Sequence, residues 1–249
     1  MREWYLKESS VALLSNGCFR RKAVLSVMKL GFIGAGNMGS AIISGILNKG
    51  ALPADCIYVS RKHPEKGAEL ARKGVHIMKD NLSLVQAVDC VLLAVKPVYA
   101  ADVIREVYDA LNGKFVISII AGWTYEMLKD ALPDTARFVR VMPNICAQVL
   151  CSASAVCPNS LCSPAQAELV RAMFRTVGEV YDIPEAQFSA FSALGGASGA
   201  FVQMYIDALS SAGVKAGLSR ALAQKIACQA TLGAAKLCQE TGEHPMALV

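Results

Sequence analysis

The chain has no apolar run long enough to cross a bilayer. The longest, around Phe115 to Trp123, has the length and β-branched content of a buried strand. A helical membrane span is thereby excluded, and a cytoplasmic protein with no membrane partner is expected. Basic surplus is also scarce. Of the formal charge of +5, residues 1–27 supply a net +3, with Arg2, Lys7, Arg20, Arg21 and Lys22 set against Glu3 and Glu8, which leaves +2 for the rest. So small an excess is no nucleic-acid signature. The nine cysteines include no C-x-x-C knuckle, and His63, His76 and His244 all lie away from the grouping Cys146, Cys151, Cys157, Cys162. No metal site is expected; buried free thiols in a reducing compartment are, as at Cys90 and Cys228. Residues 1–27 lack both a continuous apolar core and a clean small-residue cleavage site, so they are not a good secretory signal. They are expected to be an extension outside the fold, which starts at Met28.

What is present is a long apolar chain. With 249 residues and 54% hydrophobic content it can bury a sizeable core, and one medium domain plus a smaller one is expected. The most informative stretch is Lys29-Leu30-Gly31-Phe32-Ile33-Gly34-Ala35-Gly36-Asn37-Met38-Gly39, a short apolar strand running into G-x-G-x-x-G with a helical pattern behind it. Gly34 allows the tight turn, Gly36 lets backbone approach a pyrophosphate, and Gly39 lets the helix lie close to the sheet. The helix expected from about Asn37 to Leu47 points free N–H groups and its positive dipole end at the loop, a ready anion site. Such a triplet alone is also met as a plain strand-turn-helix corner. Here the strand precedes, the helix follows, and Ile57-Tyr58-Val59 completes a βαβ unit, so a dinucleotide is expected.

The end of that second strand reads Ser60-Arg61-Lys62, and Asp55 falls before the strand rather than after it. A hydroxyl followed by two cations suits a 2′-phosphate, so NADPH is expected ahead of NADH, with a solvated surface pair as the alternative reading of Arg61 and Lys62. Further on, short apolar strands alternate with helical patterns: about Glu65 to Lys73, Val75 to Ile77, Ser83 to Ala87, Cys90 to Val95, Phe115 to Ile120. That rhythm predicts a parallel sheet covered on both faces, a Rossmann-type doubly wound α/β domain over residues 28–184. Ligands lie along the carboxyl edge of such sheets, which makes Ala94, Val95, Lys96, Ala121 and Gly122 candidates for the nicotinamide side, Lys96 being otherwise a solvated strand-end lysine. Strands follow at Arg137 to Val141, before Met142-Pro143-Asn144, and at about Ala153 to Val156. A helix opened by the capping box Ser163-Pro164-Ala165-Gln166 and a last strand, Gly178 to Ile183, complete the domain.

From Glu185 the strands stop. Residues 185–249 read as an all-helical domain, broken at Gly195-Gly196-Ala197-Ser198-Gly199 and at Gly217-Leu218-Ser219. The helix expected from about Ala200 to Ala216 is apolar nearly all round, too much so for a solvated helix of a monomer, and the one from about Arg220 to Gln239 is also apolar-rich, which together predict a homodimer.

The glycine loop with Asn37-Met38, the strand end Ala94-Val95-Lys96-Pro97, Met142-Pro143-Asn144 and the segment Ala193 to Gly217 together resemble the pyrroline-5-carboxylate reductase family, from about Met28 to Val249. The resemblance implies reduction of 1-pyrroline-5-carboxylate to L-proline by NADPH or NADH, and an interlocked helical dimer, often built further into a decamer. It places Asn81, Lys96 and Pro97 with the cofactor residues Gly34, Gly36, Asn37, Met38 and Gly39. Met142, Asn144, Gly196, Ala197 and Ser198 fall to the substrate pocket, Ser198 as a helix N-cap beside amides that bind a carboxylate. No acid or base residue is expected to be catalytic: a protonated imine is already electrophilic, so placement suffices. Two departures stand out. Gly199 occupies a position where the family usually has proline, and the family continues past Glu243-His244-Pro245 into a Ser-Pro-Gly-Gly-Thr-Thr loop and a helix, so the chain reads as shortened. From that comes the alternative of an NADP-binding regulatory or scaffold protein of the same fold. A related imine or 2-hydroxyacid dehydrogenase is disfavoured, since no Lys or His stands at an obvious proton-transfer position after Gly196.

Overall fold

The computed structural model describes residues 28–249, and the extension expected over residues 1–27 lies outside them. Two compact units divide the chain, the first ending at Phe188 and the second running from Ser189 to Val249.

In the first unit the central strands are short apolar runs, Leu30–Ile33, Cys90–Leu93 and Phe115–Ser118, buried on both faces, which suits a sheet covered on both sides. The strands of the unit are β1 (Leu30–Ile33), β2 (Ile57–Ser60), β3 (His76–Ile77), β4 (Cys90–Leu93), β5 (Phe115–Ser118), β6 (Arg137–Met142), β7 (Ser152–Pro158) and β8 (Gly178–Asp182). They form one sheet in the order β3-β2-β1-β4-β5-β6-β7-β8. The α-helices are α1 (Asn37–Asn48), α2 (Ala68–Arg72), α3 (Asn81–Ala87), α4 (Pro97–Val107), α5 (Tyr125–Ala131) and α6 (Pro164–Phe174). Residues of α1 and α6, among them Ile42, Ile46, Val170 and Phe174, make a core on one face of the sheet. On the other face Leu84 of α3, Ile104 of α4 and Leu128 of α5 make a second. The capping box at Ser163 and Gln166 forms as expected.

One pairing departs from the expected parallel pattern, so that β7 and β8 run against β1–β6. β7 pairs antiparallel with β6, from Val139↔Pro158 to Met142↔Ala155. The link between them holds only a 3₁₀ turn, Ile145–Val149, and a parallel return needs a longer crossover. β8 is again parallel to β7, through α6. Near its C-terminal end α1 comes very close to the sheet: a Cβ on Gly45 would strike the side chain of Val177, just before β8.

In the second unit the expected break at Gly195–Gly199 is absent. The helix α7 (Phe188–Phe191) passes through a π turn, Ser192–Ala197, directly into α8 (Ser198–Lys215). Glycine disfavours a helix but does not forbid one, and a π turn absorbs the mismatch. Gly195 is wanted there for space, since a Cβ on it would stand 2.9 Å from the ring of Phe191. Ser198 is therefore not an N-cap. Its hydroxyl donates back along the helix to the carbonyl of Leu194. The last long helix, α9 (Arg220–Thr241), starts at Ser219, whose hydroxyl accepts from the amide of Leu222 at 3.3 Å.

Candidate functional site: the carboxyl edge of the sheet

Parallel pairing brings the C-terminal ends of β2, β1, β4, β5 and β6 side by side. The sharpest feature on this edge is the turn from β1 into α1. Gly34 has φ +90°, and a Cβ there would meet the carbonyl oxygen of Ala94 at 2.7 Å. A Cβ on Gly39 would meet the oxygen of Gly34 at 2.9 Å, so the helix sits close on its own strand. Gly36 differs: its backbone is extended, and a Cβ would meet nothing within 4 Å. Its missing side chain therefore leaves open space in front of α1. No side chain caps that helix and its first turn carries no acid, so its leading N–H groups face the opening. An uncapped helix start beside a cleared approach fits a diphosphate.

At the far side of this edge the three residues after the second strand separate. Ser60 is buried, its carbonyl accepting from the amide of Gly34 at 2.9 Å and its hydroxyl donating to Oδ1 of Asn81 at 2.7 Å. The hydroxyl expected to meet a phosphate is thus turned inward, because the strand that ends at Ser60 packs its side chain under α3. Arg61 donates one Nη1 bond, 2.8 Å, to the carbonyl of Lys66, and Nζ of Lys62 lies 5.6 Å from the centre of the Tyr99 ring. Both cations stay at the edge, with guanidinium and ammonium donors to spare. Asp55 lies in a 3₁₀ turn before β2, away from the strand's end. Asn81 opens α3, which Asp80 caps at 2.6 Å through the amide of Ser83; that bond holds the Asp80 carboxyl below its ordinary value.

Toward the middle of the edge, Ala94 and Val95 are half-buried at the end of β4, with the Ala94 amide on the carbonyl of Ile33 at 2.9 Å. Lys96 is exposed as the residue before Pro97 at the start of α4, and Ala121 and Gly122 are exposed beyond β5. Met142 and Asn144 are half-buried past β6; the Asn144 side chain accepts from the amide of Cys146 at 3.1 Å. All these sites fall along one edge. Gly196, Ala197 and Ser198 belong to the second unit, in and just after its π turn.

The chain's relatives bear on this geometry. A model of the family described as NADP oxidoreductase, coenzyme F420-dependent, matches residues 29–122, and one described as pyrroline-5-carboxylate reductase dimerisation matches residues 185–249. The pyrroline-5-carboxylate reductase of Escherichia coli K12 is 38% identical over 88% of this chain and 82% of its own length. The chain belongs to the pyrroline-5-carboxylate reductase family. Among solved structures, that of a pyrroline-5-carboxylate reductase from Coxiella burnetii is similar with a TM-score of 0.84, at 31% identity, over 90% of this chain and 84% of that one. The Plasmodium falciparum pyrroline carboxylate reductase, solved with NADP bound, is similar with a TM-score of 0.82, at 27% identity, over 90% of this chain and 83% of that one.

Family membership accounts for the order of the motifs; the contacts beneath them were not visible in the sequence. Glu106, on α4, accepts from Nδ2 of Asn81 at 2.9 Å across 25 positions of chain. Arg140 of β6 pairs with Glu185 and lies with its guanidinium 4.1 Å from the centre of the Phe188 ring. The same Glu185 oxygen accepts from the amide of Tyr125 at 3.0 Å and so ties α5 to the residues just after β8. Such pairs join distant elements and leave no local spacing to read. The thiols divide: burial pushes Cys90 far up and Cys162 up to about 11, whereas Cys228, expected to be buried, is exposed on α9. It sits on a helix face with nothing from its own unit over it. Among the described residues no grouping of His, Cys, Asp or Glu is suited to a metal ion.

Proposed function

We propose that the chain reduces 1-pyrroline-5-carboxylate to L-proline with NADPH as its principal cofactor and NADH as the other acceptable carrier. The observation that carries this is the turn at Gly34–Gly39: an uncapped α1 facing cleared space at Gly36, in a chain belonging to the reductase family. The leading amides of α1, at Asn37, Met38 and Gly39, hold a diphosphate, and Arg61 and Lys62 hold a 2′-phosphate by charge-assisted bonds. Asn81 takes the adenosine side. Ala94, Val95, Lys96, Pro97, Ala121 and Gly122 flank the nicotinamide end.

When bound, the reduced nicotinamide supplies a hydride to the imine carbon. A protonated imine already carries the proton and the positive charge that make its carbon electrophilic, and the nitrogen becomes the amine of proline as the C=N π pair moves onto it. The protein's share is placement. It aligns the two reactants at the end of β4 and β5 and needs no acid or base of its own. Met142 and Asn144, half-buried on the same edge, are assigned to the substrate, and Gly196, Ala197 and Ser198 of the second unit are assigned to it by resemblance.

The second unit is proposed to pair with that of another copy. Phe201, Met204, Ile226 and Leu232 leave 68%, 69%, 50% and 60% of their surface exposed in the single chain, apolar area that a second helical unit of the same kind would cover. Assembly of dimers into a decamer, and a cytoplasmic location, complete the reading. None of the described helices is long and apolar enough to cross a membrane.

The test is NADPH oxidation, followed by absorbance, with 1-pyrroline-5-carboxylate as substrate. Substrate-dependent oxidation with proline as the product is expected. NADPH uptake without turnover would overturn the reductase reading in favour of the regulatory one.

A further inference from the structure

The amide of Asn81 stands between two partners of different character, Ser60 and Glu106, at the adenosine side of the proposed site. We infer that Glu106 is a positioning residue for the cofactor: it fixes the direction of a hydrogen-bond relay running from Ser60 through Asn81 to Glu106. This rests on the reading of the carboxyl edge as an NAD(P)H site.

A carboxylate only accepts hydrogen bonds. The atom of Asn81 facing Glu106 must therefore be the amide nitrogen, and Nδ2 lies 2.9 Å from Oε2. With the nitrogen so placed, Oδ1 has to face Ser60, whose hydroxyl must then donate, at 2.7 Å. One charge orients the whole chain of groups. Two consequences follow for the site. The single proton of the buried Ser60 hydroxyl is committed inward, so Ser60 has none to give a phosphate oxygen, and discrimination for the 2′-phosphate is left to Arg61 and Lys62. Asn81 keeps one amide hydrogen, so it can offer a ligand only a donor, which selects an acceptor such as a ribose or phosphate oxygen.

Glu106 is otherwise badly placed. It stands in the last turn of α4, where the helix dipole disfavours a carboxylate, and on the side of the site that takes an anionic cofactor. It is exposed and contributes nothing to the core. Holding Asn81 in one of its two amide orientations is the gain that offsets these costs.

The experiment compares NADPH binding, by protein fluorescence, and steady-state kinetics for the full chain, Glu106→Gln, Asn81→Ala and the double variant. A glutamine has the size of glutamate but can present donor or acceptor, so the Asn81 amide is free to turn over. Glu106→Gln is expected to raise Kd and KM for NADPH roughly 3- to 10-fold, the loss of one oriented hydrogen bond, while kcat at saturation moves less than about twofold. In the Asn81→Ala background the same substitution is expected to have no further effect, since the group being oriented is gone. An unchanged Kd in Glu106→Gln overturns the inference, and so does an equal shift in both backgrounds, which would mean that Glu106 acts on the cofactor by charge alone. If the unaltered chain takes up neither NADPH nor NADH, the cofactor reading itself fails and the relay's role fails with it. Thermal melts of each variant confirm that the exposed position has not altered folding.

Discussion

The two units differ in what they bury. In the first, whole strands are sealed: Leu30, Phe32, Ile57, Val91, Leu92 and Ile117 expose almost nothing. In the second, among the described residues, only Ser210, Ala223 and Ala227 are buried, although its long helices are lined with Leu, Ile, Phe and Met. Both units are apolar in composition, so hydrophobic content does not tell a finished core from an unfinished one. The sheet is sealed by helices over both faces. The helical unit keeps its apolar surface for something outside it.

That contrast can be broken most directly by substitution in each unit. Ile42→Ala removes a fully buried side chain from α1 and is expected to cost roughly 2–5 kcal/mol, seen as a lower melting temperature at every protein concentration. Ile226→Asp, at a half-exposed site on α9, is expected to leave the sheet unit's stability nearly unchanged while lowering the mass seen in sedimentation equilibrium. If the unaltered chain sediments as a monomer at micromolar concentration, the helical surface is not a self-interface and the comparison loses its meaning. A smaller effect sharpens the role of the sheet unit alone. Replacing both Arg61 and Lys62 by Ala is expected to lower the preference for NADPH over NADH about tenfold, mostly through KM for NADPH. An unchanged KM ratio would show the two cations to be surface charges only.

The smallest effect uses the thiols as probes of both units. Burial raises the pKa of Cys90 and Cys162, so each stays a neutral, unreactive thiol at mildly alkaline pH in the folded protein. Mass-mapped alkylation is expected to modify the exposed Cys151 and Cys228 first and to reach Cys90 only on unfolding. The same shift sets a sign for stability. The contribution of the two buried thiols is intact below the ordinary thiol pKa and is lost as pH rises from there toward their folded values. Early labelling of Cys90 would mean that the sheet unit opens more readily than its burial implies.

Much of the sheet unit was legible in the chain. Strands sealed on both faces read as unbroken apolar runs, and the glycine loop has a spacing that few other structures need. The antiparallel β7 was not legible, because its direction depends on the length of a link rather than on its own residues. The inward turn of the Ser60 hydroxyl was not legible for a related reason. Sequence shows a hydroxyl at a strand end but not the Asn81 amide that turns it inward, and the Glu106 that orients that amide lies on another helix. The π turn at Gly195 and Gly196 hides behind two residues whose local preference is for a break, and only the ring of Phe191 shows why a small residue belongs there.

The seat of α1 on the sheet has one more effect. The helix rests its tail on Val177 at Gly45, about 12 Å along its axis from the leading amides proposed to hold the phosphate. A rigid rod packed along its length must tilt when one of its contacts is raised. A methyl group added at Gly45 is expected to lift the tail off its support and tilt the head, detuning the proposed phosphate grip from the opposite end of the rod without altering an atom of Asn37, Met38 or Gly39.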